Sequence, residues 1–500
     1  MFTSTGLIVA AVFAHLAVAA PLHSRVAKSQ EISWGSCAES YPDTPFPSNL
    51  TCATLVVPRN WGHPGANETV SLGMVRLEAT DKDNRIGYLF VNPGGPGGAA
   101  TGLVSAIVEK PDLVDPDILA KFDIIGLDPR GVGISTPLQC DPAVYNERVK
   151  SFPKTEEQFD ALVQHNQDLA ASCIAKTGSL LQHIDTISAA KDHEAVRIAL
   201  GGEKASFLGL SYGSQLFSQY ASLYPHSFRA MILDGNLEHS QSEASNILTE
   251  TLTYQATLRQ FFKWCASHDE CALQGEDVEV VFTSVRDQAE ATPIPAPGCD
   301  GISCRVEVTD EDVLFSTQGF LTQQSNWPGL AIALLEASTG NATTLSQGNQ
   351  LAVGDPYSDS ALFAGVGVAC QDWAHFSTSL AGVTQKQTIG AAFAPLTRGA
   401  SQSYRIQTQC IGWPGALANP PAPVKYAGDV TLLQINSVYD PSTSYAWAVG
   451  LEAELGANTV LLTRNGSGHT SYTLGGETTK IANAYLLNLE VPSPGTVVAT

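Results

Sequence analysis

The chain has few positive charges for its length. Its 500 residues carry 27 Lys and Arg against 49 Asp and Glu, which gives a formal net charge of −22. A surface of this sign repels phosphate groups, so nucleic acids and anionic membrane surfaces are not expected as partners. Such a charge instead suits a protein that stays in solution outside the cell.

Long hydrophobic runs are also missing. After the first 20 residues no apolar stretch reaches about 18 residues, the length that crosses a bilayer as a helix. The apolar run from Leu7 to Val18 is too short for that purpose, and the small residues Ala17-Val18-Ala19 suit cleavage. It predicts a signal peptide at residues 1–19, although no Lys or Arg precedes the run. We therefore expect a secreted, extracellular protein.

Metal-binding cysteine patterns are absent as well. The ten cysteines form no C-x-x-C pair with a nearby histidine set, so no metal site is expected. An even number of cysteines in an exported chain predicts disulfides. Pairs close in sequence are Cys37 with Cys52, Cys265 with Cys271, and Cys299 with Cys304. Sequential pairing would add Cys140 with Cys173 and Cys370 with Cys410, but sequence alone leaves the connectivity open.

Asn-x-Ser/Thr sequons accompany these cysteines. They are at Asn49, Asn67, Asn341 and Asn465. Each is a candidate glycosylation site if the chain passes through a eukaryotic secretory pathway.

Apolar runs of strand length alternate with helical patterns along the chain. Strands are predicted at 69–79, 86–91, 122–127, 205–210 and 228–233, with a helix at 185–200. Strands separated by helices indicate an α/β fold, with a mostly parallel sheet and helices on both faces. Runs of strand type return only at 430–435 and 459–462.

From about residue 236 to residue 424 the pattern changes. This stretch holds predicted helices at 243–265 and 313–323, proline-rich connections and three of the five cysteine pairs. About 480 residues exceed what one hydrophobic core usually organises. We therefore expect a core in two parts, residues 20–235 and 425–500. Residues 236–424, called the lid below, are expected to form a large, mainly helical insertion stapled by disulfides.

Gly209-Leu210-Ser211-Tyr212-Gly213 is the most informative motif. It lies between the predicted strand at 205–210 and a helical pattern from Ser214 onward. A G-x-S-x-G at a sharp strand-to-helix turn is a nucleophile elbow, in which glycines make room for the turn and expose the serine hydroxyl. Because Gly and Ser are common, the motif needs support from its context.

Two later strand ends supply the partners that a nucleophilic serine needs. Asp440 and His469 each follow one of the two strands predicted after the lid. In α/β-hydrolases the chain order is serine, acid, histidine, each at the carboxyl edge of the sheet. This order predicts Ser211 as nucleophile, His469 as general base and Asp440 as the acid that orients it. Taken singly, Asp440 also fits a turn and His469 a surface loop, and Asp234 is an alternative acid.

A glycine-rich loop at residues 92–98 directly follows another predicted strand. Attack on an acyl carbon creates an oxyanion, and such a loop lets backbone N–H groups approach it. We predict that the N–H groups of Gly95 and Tyr212 form this oxyanion hole. The loop also fits the turn of a dinucleotide-binding fold. Pro93 and Pro96 argue against that alternative, which also leaves the nucleophile elbow unexplained.

Three motifs together resemble those of the secreted tripeptidyl aminopeptidases, α/β-hydrolases related to prolyl aminopeptidases. They are Asn92-Pro-Gly-Gly-Pro-Gly, Phe122-Asp-Ile-Ile-Gly-Leu-Asp-Pro-Arg-Gly-Val-Gly-Ile-Ser-Thr-Pro and Gly209-Leu-Ser-Tyr-Gly-Ser. Looser similarity continues through Cys370-Gln-Asp-Trp, Cys410-Ile-Gly-Trp-Pro and Gly468-His469. The resemblance implies a serine peptidase that removes residues or short peptides from free N-termini, without a metal or an organic cofactor.

Departures from the family pattern leave the substrate class open. Pro93 replaces the usual histidine of prolyl aminopeptidases, which favours the tripeptidyl branch. The group also contains esterases, so a carboxylesterase acting on small esters with the same triad is an alternative, and a fold used only for binding is a third. An aminopeptidase needs carboxylates to hold the substrate's ammonium group. Candidates in the lid are Glu238, Glu243 and Asp372, although a solvated surface also explains acidic residues.

Two further expectations concern charge. Arg130, in the Asp128-Pro-Arg-Gly turn, is expected to form a structural ion pair rather than a substrate contact. The negative field of the protein should raise the pKa of His469, so kcat/KM is expected to fall as acid protonates that imidazole. The oligomeric state is not predicted.

Overall fold

The structure, a computed structural model, describes residues 31–348, 350–352 and 358–499. The signal peptide predicted at residues 1–19 lies outside the described residues. Within the described ranges, no helix combines the length and the apolar character needed to cross a bilayer.

A ten-stranded sheet forms the centre of the molecule. Across the sheet the strands, numbered in chain order, are β1 (Gly35–Ser36), β2 (Thr51–Pro58), β3 (Thr69–Leu77), β5 (Phe122–Leu127), β4 (Gly87–Asn92), β6 (Ala205–Leu210), β7 (Phe228–Asp234), β10 (Leu432–Tyr439), β11 (Thr459–Ser467) and β12 (Val497–Ala499). Neighbours from β1 to β5 pair antiparallel, and all later neighbours pair parallel. The predicted mostly parallel sheet is confirmed. The antiparallel edge formed by β1 and β2 is not foreseen in the sequence pattern.

Helices connect most of the parallel strands. Before the lid they are α1 (Cys37–Ser40), α2 (Ala100–Glu109), α3 (Pro116–Lys121), α4 (Pro142–Asn146), α5 (Glu156–Thr177), α6 (Thr186–Ala199) and α7 (Tyr212–Leu223). In the lid they are α8 (Glu243–Cys265), α9 (Val278–Ala291), α10 (Asp310–Leu321), α11 (Trp327–Ser338), α12 (Thr343–Ser346), α13 (Ser358–Asp372), α14 (Leu380–Phe393) and α15 (Gln402–Cys410). After it come α16 (Tyr445–Leu455) and α17 (Gly476–Asn488). Short 3-10 turns lie at Lys82–Asn84, Pro111–Leu113, Gly178–His183, Gln324–Asn326 and Tyr472–Leu474.

Two hydrophobic clusters cover the two faces of the sheet. Alternate residues of a strand point to opposite faces, so Phe90 and Phe207 pack with α6 and α7. Their neighbours Leu89 and Leu208 pack on the other side, with α2, α3 and α17. Because both faces are covered, the central strands read as continuous apolar runs. The predicted α/β architecture, with helices on both faces, is confirmed.

The lid is inserted between two neighbouring strands. β7 and β10 pair parallel, with Asp234 opposite Ile435, and the chain between them forms β8 (Ile294–Pro295), β9 (Glu307–Val308) and the helices α8 to α15. A separate hydrophobic cluster holds these helices together, with Phe261, Phe282 and Trp327 fully buried at its centre. The lid therefore has its own core while both of its ends are fixed in the sheet.

A segment before the lid completes this second core. Phe152, in the loop before α5, and Phe159, in the first turns of α5, are buried in the same cluster. Farther along α5, the side-chain amide of Asn166 donates hydrogen bonds to the carbonyl oxygens of Thr408 and Ile411, each 2.8 Å long. The core of the lid is thus built from two separate stretches of chain.

All five cysteine pairs of the sequential order come together in the structure. They are Cys37–Cys52, Cys140–Cys173, Cys265–Cys271, Cys299–Cys304 and Cys370–Cys410. The last of them joins α13 to α15, and Cys140–Cys173 joins a loop of the core to α5. The prediction of a disulfide-stapled fold is confirmed.

Arg130 forms the structural ion pair expected from its turn. The side chain is fully buried, and its Nη2 lies 2.6 Å from a carboxylate oxygen of Asp192. Its Nη1 also donates to the carbonyl oxygens of Arg59, at 2.7 Å, and His183, at 2.8 Å. The guanidinium therefore joins β2, α6 and the loop before α6 inside the core.

Candidate active site

Ser211 lies at a sharp turn between β6 and α7. Its φ of 58° and ψ of −126° are rare for any residue other than glycine. The turn is held by a 2.7 Å hydrogen bond from Ser211 N to the carbonyl oxygen of Asp234. A Cβ atom at position 209 would lie 2.3 Å from the carbonyl oxygen of Gly213, so only glycine fits there. These features are the strand, turn and helix that a nucleophile elbow requires.

The loop at residues 92–98 packs directly against this turn. A Cβ atom on Gly94 would lie 2.7 Å from Ser211 Cβ and 2.8 Å from Tyr212 N, which only glycine avoids. Gly95 lines the same cavity as Ser211. Tyr212 is the first residue of α7, so its N–H has no carbonyl partner within the helix. Both donors predicted for an oxyanion hole therefore adjoin Ser211.

Asp440 and His469 are hydrogen bonded to each other. Nδ1 of His469 lies 2.9 Å from both carboxylate oxygens of Asp440. Asp440 is fully buried, and its Oδ1 also accepts from Ser442 N at 2.9 Å and Thr443 N at 2.8 Å. The Thr443 hydroxyl donates to Oδ2 at 2.7 Å. Fixed donors thus surround the carboxylate, which in turn fixes the orientation of the imidazole.

The pKa values of this pair move in opposite directions. Burial acts to raise the pKa of Asp440, but the charge and hydrogen bonds of His469 outweigh it and hold that pKa below its usual value. Burial acts to lower the pKa of His469, but the Asp440 carboxylate outweighs it, helped by Asp234 and Glu250, and raises that pKa. An ionised Asp440 therefore stabilises a protonated imidazole.

Asp234, the alternative acid, contacts the backbone beyond His469 instead. Its Oδ2 accepts hydrogen bonds from Ser471 N and Tyr472 N, both 2.7 Å long, and burial raises its pKa to about 6. Gly235 follows Asp234, and a Cβ atom there would lie 3.2 Å from Cε1 of His469. The imidazole therefore packs against the end of β7, where the Asp234 carbonyl oxygen also accepts the hydrogen bond from Ser211 N. This geometry favours Asp440 as the acid and gives Asp234 a supporting position.

Lid residues hold the backbone on both sides of this pair. His469 N donates to the carbonyl oxygen of Thr322 at 2.6 Å, and Nε2 of Gln323 donates to the His469 carbonyl oxygen at 3.0 Å. Nε2 of Gln318 donates to the carbonyl oxygen of Pro441 at 2.8 Å. The end of α10 and the residues after it therefore belong to the framework of the site.

Glu250 of the lid lines the cavity that contains Ser211. Its side chain is buried in the middle of α8, where its carboxylate accepts from Ser403 N at 2.7 Å, Gln402 N at 3.1 Å and Gln318 Nε2 at 2.8 Å. Burial raises its pKa to about 7. Among the described residues, no Lys or Arg forms an ion pair with it. The cavity therefore contains a carboxyl group whose charge the protein itself does not neutralise.

Two of the carboxylates predicted to bind a substrate amine have other neighbours. Glu243 lines the cavity, but its Oε1 lies 2.8 Å from Nζ of Lys386. Glu238 lies over Gly450 of α16, because the absence of a side chain there leaves room for its carboxylate. The structure thus brings Glu243 to the cavity as a paired acid and does not bring Glu238 there.

Asp372 lies behind the nucleophile helix rather than in the cavity. It is fully buried and accepts hydrogen bonds from the hydroxyl of Thr186 and, at 3.1 Å, from Nε2 of Gln215. The Thr186 hydroxyl also bonds to the Tyr212 hydroxyl at 2.6 Å. Burial raises the pKa of Asp372 to about 8. Asp372 does not line the cavity that contains Ser211, so the structure does not bring this carboxyl group to the place where a substrate amine is expected; its contacts instead support the Tyr212 region.

The sequence prediction misses Glu250 and Thr443. Glu250 carries a recognisable signal, because it lies at helical spacing from Ile247 and Tyr254 on the buried face of α8. A carboxylate on such a face needs a partner or a function. Thr443 has no comparable signal, since its bond to Asp440 depends on the turn that follows Pro441.

The predicted glycosylation sites, and one cluster of possible metal ligands, can also be located. Asn49, Asn67 and Asn465 are exposed, whereas Asn341 is half-buried and its Oδ1 accepts a hydrogen bond from the Thr343 hydroxyl at 2.7 Å. Among the described residues, one group of possible metal ligands lies close together, at Cys299, Asp300 and Cys304. Its two sulfur atoms are joined as a disulfide and offer no thiolate.

Family models match most of both halves of the core. A model described as the alpha/beta hydrolase fold matches residues 88–293, and one described as TAP-like protein matches residues 394–498. Among curated relatives, carboxylesterase B of Mycobacterium tuberculosis is 30% identical over 88% of this chain and 84% of its own length. Serine protease Hip1 of the same organism is 27% identical over 93% of this chain and 90% of its own length.

A third relative is the tripeptidyl aminopeptidase of Streptomyces lividans, 28% identical over 53% of this chain and 50% of its own length. Together with the sheet topology and the nucleophile elbow, these matches define a serine hydrolase with the α/β-hydrolase fold. The chain belongs to the TAP-like family of α/β-hydrolases. The resemblance to this family noted in the sequence is confirmed.

Proposed function

We propose that the chain is a secreted serine aminopeptidase that removes residues or short peptides from free N-termini. The geometry around Ser211 supports this proposal, as do relatives named as a serine protease and a tripeptidyl aminopeptidase. Export is supported by the five disulfides and by the signal peptide predicted at residues 1–19.

The proposed reaction proceeds through an acyl-enzyme. Ser211 Oγ attacks the scissile carbonyl carbon while His469 takes the hydroxyl proton, and Asp440 stabilises the imidazolium that forms. The N–H groups of Gly95 and Tyr212 donate to the oxyanion. His469 then gives its proton to the leaving amine. A water molecule attacks the acyl-enzyme with His469 again as base, which releases the N-terminal product and regenerates the serine hydroxyl.

Glu250 is the observation that carries the choice of an aminopeptidase. A substrate with a free N-terminus brings an ammonium ion, and a buried carboxylate without a basic partner is its natural acceptor. Glu250 lines the same cavity as Ser211, so an amine held there would lie close to the scissile bond. Binding of the cation would lower the pKa of Glu250 and keep the carboxylate ionised at neutral pH.

A carboxylesterase is the second candidate. The relative named carboxylesterase B, at 30% identity, supports it, and the same three side chains and oxyanion donors would serve an ester. A small neutral ester has no cation for Glu250 to bind. The two candidates therefore differ in whether a free amine on the substrate accelerates cleavage.

Matched fluorogenic substrates separate the two candidates. A panel of aminoacyl and short peptidyl amides would be compared with the same compounds acetylated at the N-terminus, and with small esters. We expect kcat/KM for the free amines to exceed that for the acetylated amides by about 100-fold, because one buried ion pair contributes a few kcal/mol. Cleavage of esters without turnover of any unblocked peptide would reject the aminopeptidase.

Labelling with a serine-directed phosphonate tests the step that both candidates share. The expected result is a single modified peptide that contains Ser211, found by mass spectrometry. An unlabelled Ser211 in folded protein would reject both enzymatic candidates and leave a fold used only for binding.

A further inference from the structure

A cavity of about 240 Å³ between the lid and the loop after α4 collects positive charge in this acidic protein. Its lining includes Arg148 of that loop, Arg305 from the connection between β8 and β9, and Arg405 of α15. The charges are close enough for Arg148 and Arg405 both to act on Arg305. The cavity lined by these three arginines is called the basic groove below.

Two of these arginines have no carboxylate partner among the described residues. Nη2 of Arg305 donates to the carbonyl oxygen of Asn146 at 3.0 Å, and the Arg405 guanidinium lies 5.2 Å from the ring centre of Phe315. Neither forms an ion pair, whereas Arg148 has one with Asp312 at 3.2 Å. Burial, followed by the charge of Arg148, lowers the pKa of Arg305. A bound anion would relieve both effects.

The acidic residues that also line the groove are engaged elsewhere. Glu311 accepts hydrogen bonds from Ser151 N at 2.9 Å and Phe152 N at 3.3 Å, and it lies 3.9 Å from Nζ of Lys150. Asp312, in the first turn of α10, accepts from Thr309 N at 2.9 Å and so closes the capping box of that helix with the N-cap residue Thr309. Glu147 is exposed. The charge of Asp312 still acts on Arg305. Among the described residues neither Arg305 nor Arg405 forms a direct ion pair, so both guanidinium groups can meet an anionic ligand.

A third cavity lies between the basic groove and the cavity around Ser211. It shares Gly95, Gln402 and Ile406 with the Ser211 cavity, and shares Arg405 and Gln409 with the basic groove. Helix α15 runs along this path. From Gln402 to Gln409 a helix rises by about 10 Å, a distance that about three residues of an extended peptide cover.

We propose that the basic groove binds a carboxylate on the part of the substrate that follows the scissile bond. The argument rests on the proposed function, because a peptide whose ammonium group is held at Glu250 has only its C-terminal continuation to place beyond Gly95. Arginine is suited to this task, since its planar guanidinium donates paired hydrogen bonds to a carboxylate. The favoured substrates are short peptides with a free N-terminus and either an acidic side chain or a free C-terminal carboxylate a few residues downstream.

Four matched peptides distinguish the two sources of the carboxylate. Each has the same neutral N-terminal residues and a quenched fluorophore pair, with Glu or Gln at the downstream positions and a C-terminal acid or amide. We expect kcat/KM to rise about 10-fold or more with a carboxylate, as one charge-assisted hydrogen bond provides. The peptide with Glu and a C-terminal amide shows whether a side-chain carboxylate is sufficient. The peptide with Gln and a C-terminal acid shows whether the terminal carboxylate is sufficient.

The combined Arg305→Gln and Arg405→Gln variant tests the assignment of residues. Its ratio of kcat/KM for acidic against neutral peptides should fall to about one. Arg259→Gln is the control, because it removes an exposed positive charge of the lid that lines none of these cavities, and it should keep the wild-type ratio. A wild type that cleaves neutral and acidic peptides equally, or a double variant that keeps the preference, would overturn the proposal.

Binding to Ser211→Ala protein separates this proposal from the proposed function. Fluorescence anisotropy would give Kd for labelled versions of the same four peptides without turnover. A carboxylate-dependent Kd that disappears in the double arginine variant supports the groove even if no peptide is cleaved. Cleavage of the neutral amide with no carboxylate dependence in Kd or kcat/KM rejects the groove and leaves the aminopeptidase intact.

Discussion

Two buried carboxylates, one at the edge of the sheet and one in the lid, differ in how the protein treats their charge. Asp440 lies after β10 with His469 and four further donors around it, and its pKa is lowered. Glu250 accepts hydrogen bonds from neutral donors of Ser403, Gln402 and Gln318, and burial raises its pKa to about 7. The negative charge of Asp440 is balanced by His469 within the protein. The negative charge of Glu250 has no cationic partner among the described residues and is left for a ligand to balance.

This difference assigns separate tasks to the two regions. A carboxylate that is already ionised and paired can support the same proton transfers on any acyl substrate. A carboxyl group whose pKa lies near neutral pH is ionised further when a cation binds beside it in the cavity. Chemistry and selectivity should therefore be separable by mutation, and the following predictions test that separation.

The largest effect is expected at the edge of the sheet, from Asp440→Asn. An amide of the same size favours the wrong imidazole tautomer, so kcat should fall about 10⁴-fold on amides and esters alike. Steady-state kinetics on both substrate types measures the change, and circular dichroism with a melting curve confirms that the protein folds. If Asp440→Asn retained most of its activity while Asp234→Asn lost it, the assignment of the acid would be reversed.

In the lid, Glu250→Gln should reduce kcat/KM about 100-fold on peptides with a free amine. Acetylated peptides and esters should be cleaved at nearly the wild-type rate, because they bring no cation. Glu238→Gln is the matched control, since Glu238 lies over Gly450 and not in the cavity. An equal loss on blocked and unblocked substrates would mean that Glu250 supports the fold rather than selectivity.

The pH dependence of kcat/KM should also distinguish the role of His469, which all substrates share, from that of Glu250, which only free-amine substrates use. As the pH is lowered, His469 is protonated and kcat/KM falls about 10-fold per pH unit. Because the pKa of His469 is raised above its usual value of about 6.5, this fall begins at a pH above about 6.5. Free-amine substrates should fall more steeply, because Glu250, with a pKa of about 7, gains a proton in the same range. They should also lose activity above about pH 8 as the substrate amine is deprotonated.

Acetylated substrates give the reference profile for this measurement. They should reach a plateau at alkaline pH, and Glu250→Gln should give both substrate types the same profile. Identical wild-type profiles for blocked and unblocked peptides would remove the distinction between the two regions, and a rate unchanged down to pH 4 would contradict the role of His469.

The smallest effect is expected where the two regions meet, from Gln323→Ala. Loss of the hydrogen bond to the His469 carbonyl oxygen should cost about 1 kcal/mol and reduce kcat a few-fold on every substrate. Gln324→Ala, at the exposed neighbouring residue, is the control and should match the wild type. An effect confined to free-amine peptides would place Gln323 with the selectivity residues instead.

The core could be predicted from the sequence because its signals are local. β5 and β6 agree with their predicted bounds, and the elbow at Ser211 follows directly from Gly209 and Gly213. Chain order then placed Asp440 and His469 at strand ends that the parallel sheet brings to one edge.

The lid could not be predicted to the same depth, because its contacts join distant stretches of chain. Phe152 and Phe159 complete a core that lies mostly after residue 236, and no local pattern links them to it. The bounds of the helix that contains Glu250 are predicted correctly, but the role of Glu250 is not. Periodicity indicates which face of a helix is buried, but not which groups a polar residue on that face contacts.

The hydrogen bonds that Thr322 and Gln323 make with His469 have a practical consequence for protein engineering. Exchanging lids between members of this family is an obvious route to new specificities. Here such a graft would also replace the scaffold of the general base. A chimera should therefore transfer residues 318–323 together with residues 465–472, the end of β11 and the loop after it, so that the new lid keeps its hydrogen bonds to the catalytic histidine.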